Sequence, residues 1–340
     1  MIASVSVTNS IRMSAGRTGT MFDPVAGDVG DFDGRNLLGR VLFCDESAGP
    51  TLQDGVPTMR VPMVTDTEVP FQELFTTEAA VVTGTDGRLV FAEDGNRLFC
   101  AIKIDQRGVY RDAARIAYDS AFELTTRLGY PQILRMWNLV GGIIDSNVDG
   151  MEIYQDFCVG RAEAFALWHG RIGNIPAATG IGTRGPGVHL YFLAGRNDSG
   201  PVHLENPQQT PAYQYPGEYG PKSPSFARAT YVDGTLYVSG TASIIGNETV
   251  CLGDVAAQTD VTLSNIATLI GEENLVRHGV SAGFTLADLD FIKVYVRDGA
   301  DLPLVREKCA AVFNPDAQIV YLNVDVCRRD LLVEIEGIIP

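Results

Sequence analysis

The sequence predicts an α+β protein: a mixed β-sheet with helices packed on one face, duplicated along the chain. Strand-like apolar runs alternate with segments whose apolar residues recur at spacings of three and four, the periods of strand and helix. The order β-α-β-α-β occurs first over residues 98–193 and again from Tyr231 onward. Such alternation lays helices against a sheet. Identity between the two halves is slight, so the duplication rests on element order. The expected division is 1–215 for an N-terminal, degenerate domain and 216–340 for a C-terminal domain.

Residues 1–37 are rich in Ser, Thr, Gly and Asp with weak periodicity and read as a loosely structured lead-in. Strands follow at 39–44, 56–61, 79–83 and 88–91, the last two joined by the hairpin signal Gly84-Thr85-Asp86-Gly87. A strand at 98–104 leads to a helix over 110–128, where Ala114, Ala117, Ala121, Leu124 and Leu128 form one stripe before the Gly129-Tyr130-Pro131 stop. A buried strand at 133–144, a helix at 151–168 and a strand at 188–193 complete the first set. In the second set a strand at 235–239 precedes a helix with Asp254 as N-cap and Leu263, Ile266, Ala267 and Ile270 on one stripe. A strand at 290–297, a helix at 302–313 and strands at 318–324 and 331–338 close the chain.

The net charge of −16 argues against a nucleic-acid or anionic-membrane surface, although a local Arg cluster can still receive an anionic small molecule. No apolar run approaches the roughly 20 residues of a membrane span, and the N-terminus shows no signal-peptide pattern. The expectation is a cytoplasmic protein. Six cysteines lie without paired spacing; Cys44, Cys100, Cys158 and Cys309 sit in apolar segments and read as buried thiols. Four scattered histidines and no Cys/His spacing leave metal binding unsupported, and no cofactor is expected. The glycine-rich stretch 180–187 lacks the Gly-Lys-Ser/Thr ending of a phosphate loop and reads as a turn.

The candidates for chemistry are therefore carboxylates and arginines beside apolar segments. In the last strand Leu332, Glu334, Glu336 and Ile338 share one face, and Cys327 lies just before the Arg-Arg-Asp turn that feeds it. Periodicity does not separate Glu334 from Glu336. Arg161 sits among Phe157, Cys158, Ala162, Ala164 and Phe165; Arg228 lies in Phe226-Ala227-Arg228-Ala229; Arg306 lies on the 302–313 helix. Guanidinium forks suit a dicarboxylate ligand, and surface salt bridges are the competing reading for each. Between the halves, 205–224 carries Tyr213, Tyr215 and Tyr219 among prolines and reads equally as cleft lining or as plain packing.

From Gly234 onward the chain resembles the YjgF-like reactive-intermediate deaminases. The matching pieces are Gly234-Thr235-Leu236-Tyr237-Val238-Ser239-Gly240, Gly253-Asp254-Val255-Ala256-Ala257-Gln258, Leu263-Ser264-Asn265-Ile266, Lys293-Val294-Tyr295-Val296-Arg297-Asp298 and Val333-Glu334-Ile335-Glu336-Gly337. The resemblance implies the YjgF-like (chorismate-mutase-like) fold, with sites between subunits of a trimer. Counted back from Glu334, the arginine of those deaminases falls at or near Ile319, so the likeness carries the fold without that residue.

From about residue 90 onward the chain also resembles the chorismatases. Gly129-Tyr130-Pro131, Trp137-Asn138, Asp156-Phe157-Cys158-Val159-Gly160-Arg161, Pro176-Ala177-Ala178-Thr179-Gly180-Ile181-Gly182, Tyr215-Pro216, Tyr219-Gly220-Pro221, Phe226-Ala227-Arg228-Ala229 and Leu331-Leu332-Val333-Glu334-Ile335-Glu336-Gly337 carry the likeness. It implies chorismate as substrate and release of the enolpyruvyl group as pyruvate. Glu334 is then the general acid that protonates the enol ether methylene, and Glu336 a supporting or surface group. Arg306, Tyr215, Arg161 and Arg228 become candidates for the two substrate carboxylates, with Arg306 and Tyr215 foremost.

Gly240 and Cys327 match the branch that makes 3-hydroxybenzoate; the hydrolytic branch carries Ala at both positions. The first branch implies intramolecular capture through the substrate's own C4 hydroxyl and an arene-oxide-like intermediate, with Cys327 shaping the pocket or handling a proton. The alternatives are a chorismate hydrolase giving a trans-dihydroxycyclohexadiene carboxylate, and a YjgF-type imine deaminase or ligand-binding protein. The assembly is expected to be a monomer or a homotrimer.

Overall fold

Three sheets follow one another along the chain in the computed structural model, which describes residues 19–24, 34–63, 65, 69–196, 198 and 200–340. The first holds β1 (Gly19–Pro24), β2 (Asn36–Cys44), β3 (Ala48–Gln53), β4 (Val56–Pro62) and β5 (Phe71–Thr77), in the order β1-β5-β2-β4-β3. The second holds β6 (Val82–Asp86), β7 (Leu89–Glu93), β8 (Arg97–Ile104), β9 (Gln132–Gly141), β10 (Ala177–Thr183) and β11 (Val188–Gly195), with helices α1 (Arg111–Leu128) and α2 (Ile153–Trp168). The third holds β12 (Val202–Leu204), β13 (Ala229–Val232) and β14 (Thr235–Ala242). After the short hairpin β15 (Ile244–Ile245) and β16 (Glu248–Thr249), it continues with β17 (Phe291–Val296), β18 (Gln318–Asn323) and β19 (Val333–Ile339), and carries helices α3 (Val255–Ile270), α4 (Glu272–Arg277) and α5 (Leu302–Ala310).

The second sheet runs β10-β9-β11-β8-β7-β6 and the third, read from its opposite edge, β18-β17-β19-β14-β13-β12. The positions correspond one to one. In each sheet the pair at the named edge, β9 with β10 and β17 with β18, is parallel, while the two central pairings are antiparallel. The duplication expected from element order is thus present as topology.

One face of each repeated sheet is covered by its own helices. Tyr118, Phe122, Phe157 and Phe165 pack α1 and α2 on the second sheet; Leu263, Ile266, Leu269 and Val305 pack α3 and α5 on the third. The opposite faces of all three sheets meet in one core, where Phe43 and Phe75 join Trp137, Tyr191, Phe291 and Tyr295. The termini of the helices obey local rules: Asp254 accepts the Ala257 N–H at the head of α3, and Gly129 ends α1 at φ 84°, a left-handed conformation that favours glycine.

Several expectations shift. Part of the 1–37 lead-in is ordered: β1 pairs antiparallel with β5; 1–18 and 25–33 lie outside the described residues. Half of the glycine-rich turn is the strand β10, because small residues let that strand approach its neighbours closely. The strand expected at 79–83 sits at Val82–Asp86. β12 precedes the expected division at 215/216, yet it pairs with β13 in the third sheet. Cys44 is only partly buried, since β2 ends there, whereas Cys100, Cys158 and Cys309 are buried. Among the described residues no helix is long and apolar enough to cross a membrane.

Candidate active site

The two repeated sheets meet where β10, an edge strand, lies beside β14. Ala177 N–H donates to Thr230 Oγ1, Ala178 N–H to Ser239 Oγ, and Gly240 N–H to Thr179 Oγ1 at 3.0 Å. A cavity of about 270 Å³ opens at this seam. The first half contributes Glu152, Tyr154 and Gln155 at the start of α2, with Ala178 and Gly180 of β10. The second contributes Gly240 and Ala242 of β14, the turn Cys327 to Leu331, and Glu334 of β19. The segment between the halves lies across the opening with Tyr215, Tyr219, Phe226 and Arg228. Of the two readings of that Tyr-rich segment, cleft lining holds for Tyr215 and Tyr219; Tyr213 is 40% exposed and borders a neighbouring cavity.

Glu334 and Glu336 sit two residues apart on β19, both buried, in opposite electrostatic states. Burial pushes the Glu334 carboxyl up to about 8, and the negative charge of Glu336 adds to the rise; Arg135 and Arg228 oppose it. Its Oε2 lies 3.9 Å from Cys327 Sγ. For Glu336 burial works in the same upward direction, but Lys293 and Arg135 outweigh it and bring the carboxyl down to about 2. Lys293 Nζ is 3.0 Å from Glu336 Oε1, Arg135 Nη2 is 2.8 Å from Oε2, and Trp137 Nε1 donates to Oε1 at 2.9 Å. Thr179 Oγ1 also donates to Oε2. A protonated carboxyl beside a fixed carboxylate is a division of roles suited to acid catalysis. Burial, and then Glu334, push the Cys327 thiol well up, so it stays a neutral thiol and not a thiolate nucleophile.

Gly240 lies against the acid. A Cβ built there would stand 1.9 Å from Glu334 Oε1 and 3.2 Å from Thr179 Cγ2. Absence of a side chain is therefore what lets the carboxyl lie where it does.

Cations line the opposite side. Arg228 Nη2 donates to Tyr215 Oη at 2.7 Å and to Thr210 O at 3.0 Å, while its buried Nε has no partner among the described residues. Arg328 stacks 4.0 Å from the Tyr219 ring centroid and 5.1 Å from that of Tyr215, and donates to Asn247 O at 2.9 Å. Arg329 borders the same cavity.

The structure thus brings Glu334, Cys327, Gly240, Tyr215 and Arg228 together. It does not bring Arg161 or Arg306 to them. Arg161 is buried behind the wall, 3.9 Å from Met136 Sδ, with the Tyr118 and Phe165 rings 5.6 and 5.4 Å away. Arg306 lies on the exposed face of α5, 4.1 Å over the Tyr321 ring, because α5 covers the helix side of the third sheet. The cavity-lining arginines that sequence reasoning missed are Arg328 and Arg329. Their signal was adjacency: they follow Cys327 in the turn that feeds the last strand.

Residues 73–194 match the family model described as chorismatase FkbO/Hyg5-like, N-terminal. A 3-hydroxybenzoate synthase of Streptomyces hygroscopicus is 49% identical over 90% of this chain and 92% of its own. A chorismatase of Streptomyces rapamycinicus is 42% identical over 91% and 94%. A crystal structure of a chorismatase superposes with a TM-score of 0.91 at 40% identity, covering 96% of this chain and all of that one. The 3-aminoacrylate deaminase RutC of Acinetobacter baylyi is 30% identical over 115 residues, 33% of this chain and 84% of that protein. The duplicated YjgF-like topology, the cavity at the seam between its copies and relatives matched over nearly their whole length lead to one assignment: the chain belongs to the chorismatase family.

Proposed function

We propose that the chain converts chorismate to 3-hydroxybenzoate and pyruvate, with Glu334 as the general acid. The observation that carries this reading is a buried carboxyl, pushed up to about 8 by its burial, in a cavity also lined by Arg228, Arg328 and Arg329. The 3-hydroxybenzoate synthase relative, at 49% identity, supports the choice of product.

In this reading Arg228 and Arg328 hold the two carboxylates of the substrate, and Tyr215 orients Arg228. Glu334 gives its proton to the terminal methylene of the enol ether, leaving an oxocarbenium ion. The substrate's C4 oxygen bonds to C3 as the C3–O ether bond breaks, and that electron pair leaves with pyruvate. The C4 hydroxyl loses its proton in the same capture, which can reload Glu334. Cleavage of the C4–O bond of the arene-oxide-like ring leaves the oxygen on C3, and loss of the C3 hydrogen as a proton then gives the phenol. No water is consumed, whereas hydrolysis takes up one. Both walls of the cavity come from one chain, which supports a monomer over a homotrimer as the working unit.

Incubation with chorismate tests this. Pyruvate together with an aromatic product having the ultraviolet spectrum and retention of 3-hydroxybenzoate is the expected result. A non-aromatic diene acid would make the chain a hydrolase. No pyruvate at all would remove both readings and leave an imine deaminase or a ligand-binding protein.

The pH profile follows from the acid. Glu334 works in its protonated form, so kcat/KM should be level below about pH 8 and fall about tenfold per unit above it. A profile that rises between pH 6 and 9 would show that the ionised form acts instead.

Product choice should respond to the space beside the acid. In the double variant Gly240→Ala/Cys327→Ala, the new methyl displaces the Glu334 carboxyl, the mobile end of its side chain, and the lost thiol opens room for water. The diol should become a major product by chromatography. If 3-hydroxybenzoate remains the sole product, these two positions do not select it.

A further inference from the structure

We infer that Thr179 is a positioning residue that fixes product choice by holding Gly240 against the acid. This rests on the chorismate reading above and extends it to a side chain supplied by the other repeat.

β14 departs from regular pairing with β19 at this point. Val238 faces Gly337 and Thr241 faces Ile335, so Ser239 and Gly240 together oppose Glu336. Two residues against one is a β-bulge, and bulges re-aim backbone groups away from the ladder. The Gly240 N–H is redirected across the seam to Thr179 Oγ1. That hydroxyl also accepts from Arg135 Nη2 at 2.6 Å and donates to Glu336 Oε2. With one proton to give and two lone pairs, it is saturated by these three partners. A single hydroxyl thereby ties the bulge to the carboxylate next to the acid on β19. Thr179 Cγ2, 3.2 Å from where a Gly240 Cβ would stand, also borders the space that Glu334 Oε1 occupies.

Replacing the hydroxyl by a methyl keeps the shape and removes the clamp. The half-buried Gly240 N–H, at the cavity wall, is left without its partner, and it recovers one by admitting a water or by relaxing the bulge. Either change acts beside Glu334, where a water would compete with the substrate's C4 oxygen for the cation.

The experiment compares wild type with Thr179→Val, Thr179→Ala and Thr179→Ser on chorismate, measuring pyruvate, 3-hydroxybenzoate and diol separately. In Val and Ala the diol-to-3-hydroxybenzoate ratio should rise about tenfold, the scale expected when a hydrogen-bond donor loses its partner. Ser should retain the wild-type ratio. If Val does not accumulate as folded protein, Ala and Ser carry the comparison. A ratio unchanged in Val and Ala overturns the inference even when their turnover or thermal stability falls, because a merely structural role moves those quantities alone. An equal shift in Ser overturns it too. Absence of pyruvate from wild type would instead remove the chorismate reading itself, so the two failures are distinct.

Discussion

Glu334→Gln should lower pyruvate release by about 10³-fold or more, within the range general acids contribute when they alone protonate the reacting group. The amide matches the carboxyl in shape but cannot deliver a proton to carbon. The same substitution should raise thermal stability at neutral pH. The native carboxyl has a folded-state value of about 8, well above its ordinary one of 4.5. The folded protein therefore holds a proton that the unfolded chain gives up, and wild-type stability falls as pH rises through that window. Glutamine has no such linkage. The melting temperature of the variant should equal that of wild type near pH 4.5, exceed it increasingly up to about pH 8, and keep a constant lead above. Single-turnover assays and thermal melts across pH check both halves. Residual turnover within tenfold of wild type would remove Glu334 as the acid. Melts that stay parallel at all pH values would remove the raised carboxyl.

What could be seen in the sequence depended on whether the signal was local. α3 was legible from its Asp254 cap and its apolar stripe, both internal to one segment. β5 was not, since all seven of its residues are buried and the alternation that marks a half-buried strand is absent. β10 was hidden by its glycines, whose purpose lies in its neighbours: a Cβ at Gly182 would stand 2.7 Å from Asp325 O. The site divides in the same way. Glu334 and Glu336 share a periodic face, so only a resemblance could choose between them, and the physical difference lies in partners such as Arg135, 201 residues away in the chain. Arg306 and Arg328 are equally charged in the sequence. Which of them faces the cavity is decided by α5 covering the helix side of the third sheet while the Cys327 turn borders the seam.

Lys293→Met should be the most destabilising single change among the polar residues of the core, by about 3–5 kcal/mol, the cost of stripping one partner from a buried ion pair. Lys293 Nζ stands 2.8 Å from Glu73 Oε2 and 3.0 Å from Glu336 Oε1, where the inner faces of the three sheets meet. The two carboxylates respond differently to its loss. Glu336 keeps Arg135, Trp137 and Thr179. Among the described residues Glu73 keeps only the Tyr191 hydroxyl, at 2.7 Å. Burial already pushes the Glu73 carboxyl up against the pull of Lys293, so without that cation it must take up a proton to remain in the core. A raised folded-state value makes stability fall as pH rises, so the melting temperature of Lys293→Met should recover on acidification from pH 8 to 6 by more than that of wild type. The double variant Lys293→Met/Glu73→Gln, which removes the stranded charge, should regain most of the loss at pH 8. Additive losses in that pair would mean that the methionine fails through packing and not through the unpaired carboxylate. The result also bears on the active site, because Lys293 is the cation that most lowers Glu336, the carboxylate whose charge helps keep Glu334 protonated. Because Glu336 keeps Arg135, Trp137 and Thr179 and so its charge, folded Lys293→Met, assayed below its melting temperature, should show the fall of kcat/KM at no lower pH than wild type. An earlier fall would mean that Glu336 has lost its charge.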